Sequence, residues 1–107
     1  MLDLRPDHLQ IVQRLLSEIV PECEVRAYGS RVKGTAAVSS DLDLALVGPK
    51  RLHWKPLTKL RAAFEESNLP FRVDVLDWHA ISPSFQQEIE QGYEVIQKAR
   101  LEMRVKP

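Results

Sequence analysis

From Pro6 to Val20 the apolar residues Leu9, Val12, Leu15, Leu16, Ile19 and Val20 recur at helical spacing. Pro6 suits a first helical turn and Asp7 is favourable beside the positive end of a helix, so the spacing predicts a first helix here. Past Pro21 the period changes: Cys23, Val25 and Ala27 alternate with Glu24, Arg26 and Tyr28, the pattern of a strand with one buried face. This strand runs straight into Gly29-Ser30. Residues 29–40 are rich in Gly, Ser, Thr and basic side chains and lack alternation, which predicts a loop with room for one helical turn. A loop this long in a compact domain tends to be functional.

Asp41 to Val47 alternates again, with Leu42, Leu44 and Leu46 on one face and Asp41, Asp43, Ala45 and Val47 on the other, until Gly48-Pro49 ends the strand. Leu57, Leu60 and Phe64 give a second helical stripe. Phe71 to Leu76 gives a third strand in which Phe71, Val73 and Val75 face opposite to Arg72, Asp74 and Leu76. Ser82 before Pro83 is a helix start, Phe85 and Ile89 supply its inward stripe, and Gly92 suits its C-terminal stop. Tyr93 to Ile96 is short and apolar enough for an edge strand. Gln97 to Pro107 reads as a frayed helix, a tail or a partner-binding arm. The elements together predict an α/β (α+β) fold, a small mixed β-sheet of three to four strands flanked by helices. At 107 residues one domain spanning 1–107 is expected, since a chain of this size closes one core and not two.

Fifteen basic and fifteen acidic residues cancel, so there is no global positive field of the kind that drives non-specific nucleic-acid binding, and no direct nucleic-acid partner is expected. The lone Cys23 excludes an intramolecular disulfide and any cysteine-based metal cluster, which fits a reducing compartment, the cytoplasm by default. No run of apolar residues is long enough for a membrane span and the N-terminus does not read as an export signal.

Asp41 and Asp43, at i and i+2 on a strand, project from one face about 7 Å apart along the chain, close enough to converge on shared cations. With Leu42, Leu44 and Leu46 buried behind them, the pair sits on a rigid element. Like charges side by side repel, and a divalent metal is the simplest remedy. Asp74 would complete a three-carboxylate site if the third strand lies beside the second. Oxygen-only ligands favour magnesium or manganese over zinc, and such a site can hold two ions that activate a hydroxyl and stabilise a transferred phosphoryl group. Upstream, Gly29 lets the backbone approach a phosphate, the Ser30 hydroxyl and neighbouring N–H groups can bind its oxygens, and Arg31 and Lys33 add positive charge. Each piece alone is commonplace; their joint occurrence points to phosphoryl or nucleotidyl transfer.

Through Gly29-Ser30-Arg31-Val32-Lys33-Gly34 and Ser40-Asp41-Leu42-Asp43-Leu44-Ala45-Leu46, the chain resembles the DNA polymerase beta-like nucleotidyltransferase superfamily. The likeness extends from the first helix through Ile96 and is greatest to the minimal nucleotidyltransferases of bacteria and archaea. The resemblance implies that Asp41, Asp43 and Asp74 bind magnesium, as two ions, with manganese an alternative. It implies that Gly29 and Ser30 bind the triphosphate of ATP, with Ser40 counted among the nucleotide contacts. Val32 departs from the small residue often found at its place. Minimal nucleotidyltransferases are similar to the antitoxin half of a two-gene module whose other half is an all-helical HEPN-type protein. What this implies is transfer of AMP to a hydroxyl on such a partner, in a hetero-oligomer.

His53, His79 and Cys23 share no ligand spacing, so a zinc site is not expected. Trp54 and Trp78 read as packing residues more readily than as base-stacking or partner-anchoring ones. The odd offset of Asp77 from Asp74 points it to the opposite face, where capping or solvation would satisfy it. Two rival readings stand: a non-catalytic module that neutralises a partner by contact, and a nucleotidyltransferase acting on a small molecule, although the relatives of that kind carry an extra helical domain.

Overall fold

A computed structural model describes residues 2–37 and 40–100. In chain order they form α1 (Pro6–Ile19), β1 (Glu24–Tyr28), a single helical turn α2 (Ser30–Lys33), β2 (Leu42–Val47), α3 (Trp54–Glu65), β3 (Val73–Asp77), a 3-10 turn (Trp78–Ala80), α4 (Pro83–Glu90) and β4 (Glu94–Gln97). The strands make one mixed sheet in the order β3-β2-β1-β4. β1 is antiparallel to both its neighbours, β2 and β4, and β2 is parallel to β3. The parallel pair requires a crossover, and α3 supplies it.

The alternation read from the sequence is what puts α1 and α3 on one face of the sheet. Val25 and Ala27 of β1, Leu42, Leu44 and Leu46 of β2 and Val75 of β3 turn to that side and pack against Val12 and Leu16 of α1 and Leu60 and Phe64 of α3. This main core is closed to solvent; Val12, Leu16, Leu44 and Leu60 are each 0% exposed. Removing any one of those leucines would cost about 2–5 kcal/mol through lost transfer energy and the cavity left behind.

The opposite face is not simply a solvated one, as a single buried face would have it. Ala45, Trp78 and Ile89 form a second, smaller core, joined by the partly buried Tyr28, Val47, Leu76, Phe85 and Tyr93. α4 and the 3-10 turn therefore cover one end of this face, leaving the other end, where β2 and β3 begin, to the acidic residues. Trp78 belongs to that second core, whereas Trp54 is 64% exposed.

The C-terminal stretch corrects one expectation. Gln97 is the last residue of β4, and its amide donates to the carbonyls of Val20 and Cys23, at 2.9 Å each. The Arg100 N–H donates to the Pro21 carbonyl. Residues 97–100 are thus stitched to the turn after α1, not a tail, through the carbonyls of Val20, Pro21 and Cys23. The rest of that predicted arm, 101–107, lies outside the described residues. Among the described residues no helix is long and apolar enough to cross a membrane.

Candidate active site

The site is built on adjacent strands. In the parallel β2–β3 register Asp43 stands directly opposite Asp74, and in the antiparallel β1–β2 register Tyr28 stands directly opposite Asp43. Tyr28, Asp43 and Asp74 thus form one row across the sheet on the face away from the main core. Directly opposed positions place side chains about 5 Å apart. Asp41, two residues before Asp43, precedes β2 at the same end.

The electrostatics report how closely these groups crowd. The Asp43 carboxyl is raised above the ordinary carboxylate range, first by burial and then by the charges of Asp74 and Asp41. Both effects disfavour its ionised form. Tyr28 is pushed up as well, by burial and by the charges of Asp43 and Asp74. Its ring is held edge-on against Phe85 of α4, with centroids 5.9 Å apart. Asp74, at the outer edge, is more open: its side chain is 59% exposed and stands 3.9 Å from the Arg72 guanidinium. Among the described residues the carboxylates do not close into a ready-made ligand set.

Gly29 is fixed in this place by two constraints. Its φ of 85° with ψ of −155° belongs to a backbone region that is essentially glycine's alone. A Cβ there would also collide with Oδ2 of Asp43. The turn from β1 into α2 therefore lies directly against the central carboxylate, and Ser30, the first residue of α2, is carried to the same end of the sheet. Gly34 closes α2 in the left-handed conformation.

Two of the basic and polar residues assigned to phosphate binding are placed otherwise. Arg31 is only 6% exposed. Its guanidinium donates from Nε and Nη2 to the Ser40 carbonyl and from Nη1 to the Asp3 carbonyl, and lies 4.4 Å over the Phe71 ring. Arg31 was expected to add charge beside the phosphates; in the structure its side chain turns inward and ties the loop to the N-terminal segment. Ser40 is the other end of that tie, and its hydroxyl accepts from the Ala37 N–H at 2.8 Å. It shapes the approach to Asp41 and is not aimed at the acidic row. Lys33 is exposed and lines a small hollow with Tyr28, Gly29, Phe85 and Glu88, within reach of the site's rim.

The residue that the sequence reading left out is Tyr28. The available signal was its place: it immediately precedes Gly29 and shares the alternation face that points away from the main core. Asp77 lies on the core side of β3, as its offset predicted. It is capped, not solvated, being 5% exposed and accepting from the N–H groups of Leu52 and His79. The groups discounted as zinc ligands have other occupations. His53 accepts from the Lys55 N–H, His79 pairs with the Gly48 carbonyl, and burial pushes the Cys23 thiol up to about 12.

A mixed sheet that carries opposed aspartates on a parallel pair, with a glycine-serine turn pressed against them, defines the core of a nucleotidyl-transferring enzyme. Residues 22–100 match the family model described as polymerase beta, nucleotidyltransferase. Over 97 residues the chain is 45% identical to the probable protein adenylyltransferase MntA of Haemophilus influenzae, covering 91% of this chain and 85% of that protein. In backbone shape it is similar to a toxin-antitoxin crystallised with AMP-PNP, with a TM-score of 0.65 and 21% identity over 90% of this chain and 77% of that one. It is also similar to a Shewanella oneidensis structure, a tri-AMPylated HEPN toxin in complex with MNT antitoxin, with a TM-score of 0.57 and 19% identity over the same shares. The chain belongs to the polymerase beta nucleotidyltransferase family and is a nucleotidyltransferase.

Proposed function

We propose that this chain transfers AMP from ATP, with magnesium, to a hydroxyl of a HEPN-type partner protein, and so acts as the antitoxin of a two-gene module in the cytoplasm. The observation that carries the reading is the pairing of Asp43 with Asp74 across parallel strands, with Asp41 beside them and Gly29 against the Asp43 carboxylate. Three carboxylates crowded together fit a hard divalent cation, which offsets the part of the rise in Asp43 that comes from the charges of Asp74 and Asp41 and not from burial. Asp41, Asp43 and Asp74 would hold magnesium, and its chemistry is to activate the attacking hydroxyl and neutralise charge on the transferred phosphoryl group. Manganese suits the same oxygens.

The protein's own residues supply position. Gly29 admits the backbone to the triphosphate, Ser30 offers it a hydroxyl, and the exposed Lys33 lines the hollow beside Gly29. Arg31 and Ser40 act at one remove, by fixing the loop that leads into Asp41. Transfer to a protein, and from ATP, is supported by the name of the 45%-identical relative and by the AMP-PNP and HEPN complexes of the structural neighbours. The openness of Asp74 is in keeping with an acceptor that arrives on another chain.

A single experiment decides. ATP labelled at its α-phosphate is incubated with magnesium, the native chain and the HEPN-type protein encoded beside it, in parallel with an Asp41→Asn, Asp43→Asn double variant. Label on the partner that is lost in the variant is expected. A folded, metal-supplied native chain that leaves the partner unlabelled would overturn the enzymatic reading.

A further inference from the structure

The row of side chains across the site stops abruptly on one side. Tyr28, Asp43 and Asp74 occupy successive strands, and β3, which carries Asp74, is the edge of the sheet. The backbone of β3 shows which of its groups face outward. Leu42 N–H donates to the Arg72 carbonyl at 2.9 Å, so the groups of Arg72, Asp74 and Leu76 turn toward β2. By the alternation of strand hydrogen bonding, those of Val73 and Val75 turn away from it. The Val75 carbonyl does receive a bond from outside the sheet, the Arg61 guanidinium at 2.8 Å. That contact occupies the place an incoming strand's N–H would take, and Arg61 is an exposed side chain that can swing aside.

Beside this edge runs a groove of about 460 Å³, floored by Phe64, Leu69 and Phe71 and rimmed by Arg61, Glu65 and Arg72. A partner-capturing edge and a guarded one look alike in isolation, since open edges are commonly blunted by a charged side chain. What separates them here is position. A strand added to β3 would bring one side chain opposite Asp74, on the acidic face, as the next member of the row.

We infer that the acceptor reaches the site as an extended polypeptide segment of the partner protein that pairs with the free edge of β3, its hydroxyl-bearing side chain opposite Asp74. This rests on the protein-directed transfer proposed above and specifies how the acceptor docks. The backbone bonds are sequence-independent, so selectivity comes from side chains in the groove. Of the two exposed arginines on its rim, Arg72 already stands 3.9 Å from the Asp74 carboxylate, so a segment that sets a carboxylate at Arg61 is favoured.

The test uses the full chain and its partner. Val73→Pro removes an N–H that the β2–β3 ladder does not use, at the first residue of an edge strand, where proline is tolerated; Val73→Ala trims the same side chain and keeps the N–H. Transfer to the partner should fall at least about tenfold in Val73→Pro relative to Val73→Ala, the effect of losing one backbone bond and admitting a clash. ATP binding should stay equal in the two. Equal transfer by both variants would overturn the inference. Should Val73→Pro fail to bind ATP, amide hydrogen exchange in the unaltered complex decides: the Val73 and Val75 amides should slow on partner binding while the Asp74 amide is unchanged. Unslowed amides with label transferred sink the docking mode alone, whereas slowed amides without any label sink the chemistry and leave the docking standing.

Discussion

Gly29→Ala perturbs the closest approach in the site, and its cost can be worked from the structure. At φ 85° and ψ −155° an alanine is in a region that only glycine populates freely, at a cost of about 2 kcal/mol. Its Cβ also meets Oδ2 of Asp43, forcing that carboxylate off its preferred rotamer for about 1 kcal/mol more. A loss of about 3 kcal/mol lowers the melting temperature of a domain this size by about 15 °C. Gly34 provides the control. It has φ 81° but ψ 17°, an ordinary left-handed conformation, and a Cβ there meets nothing within 4 Å, so Gly34→Ala should cost about 1 kcal/mol. Urea unfolding of both variants, repeated in an Asp43→Ala background, separates the terms. With the carboxylate gone, Gly29→Ala should lose its steric part and cost about 2 kcal/mol, a coupling of about 1 kcal/mol between the two sites. An unchanged cost in that background, or a cost no larger than that of Gly34→Ala, would refute the reasoning that glycine is required there by Asp43.

Two further outcomes follow from the same geometry. Because Asp43 is raised in the fold by burial, Asp74 and Asp41, the stabilisation linked to its protonated form is present in acid and lost as pH rises through its folded pKa. Asp43→Asn should therefore be the more stable protein at neutral pH in chelator, with the gap closing on acidification and reversing when magnesium or manganese is added. Denaturant melts at neutral and at acid pH check this, and a variant less stable than native in chelator at neutral pH would count against it. Arg31→Lys should lose about 3 kcal/mol, because a single ammonium cannot reach both the Ser40 and Asp3 carbonyls that the guanidinium joins. If that variant instead kept its stability and lost ATP affinity, Arg31 would be a nucleotide contact after all.

By itself the sequence determined the elements and the face each residue takes. Alternation at Leu42, Leu44 and Leu46 required Asp43 on the far side, and the run Ser40-Asp41-Leu42-Asp43 after Gly29-Ser30 identified the chemistry, because covalent spacing along a strand fixes which side chains share a face. Register between strands is a matter of long-range pairing, and only the tertiary structure decided that Asp74 stands opposite Asp43 and that Tyr28 completes the row. The same holds for Arg31. Its charge and place beside Gly29-Ser30 read as a phosphate contact, yet the fold brings the Asp3 and Ser40 carbonyls within its reach and buries it between them. Which partner a long, flexible cation takes is set by what the chain delivers to it from 28 residues away, and local sequence carries no record of that.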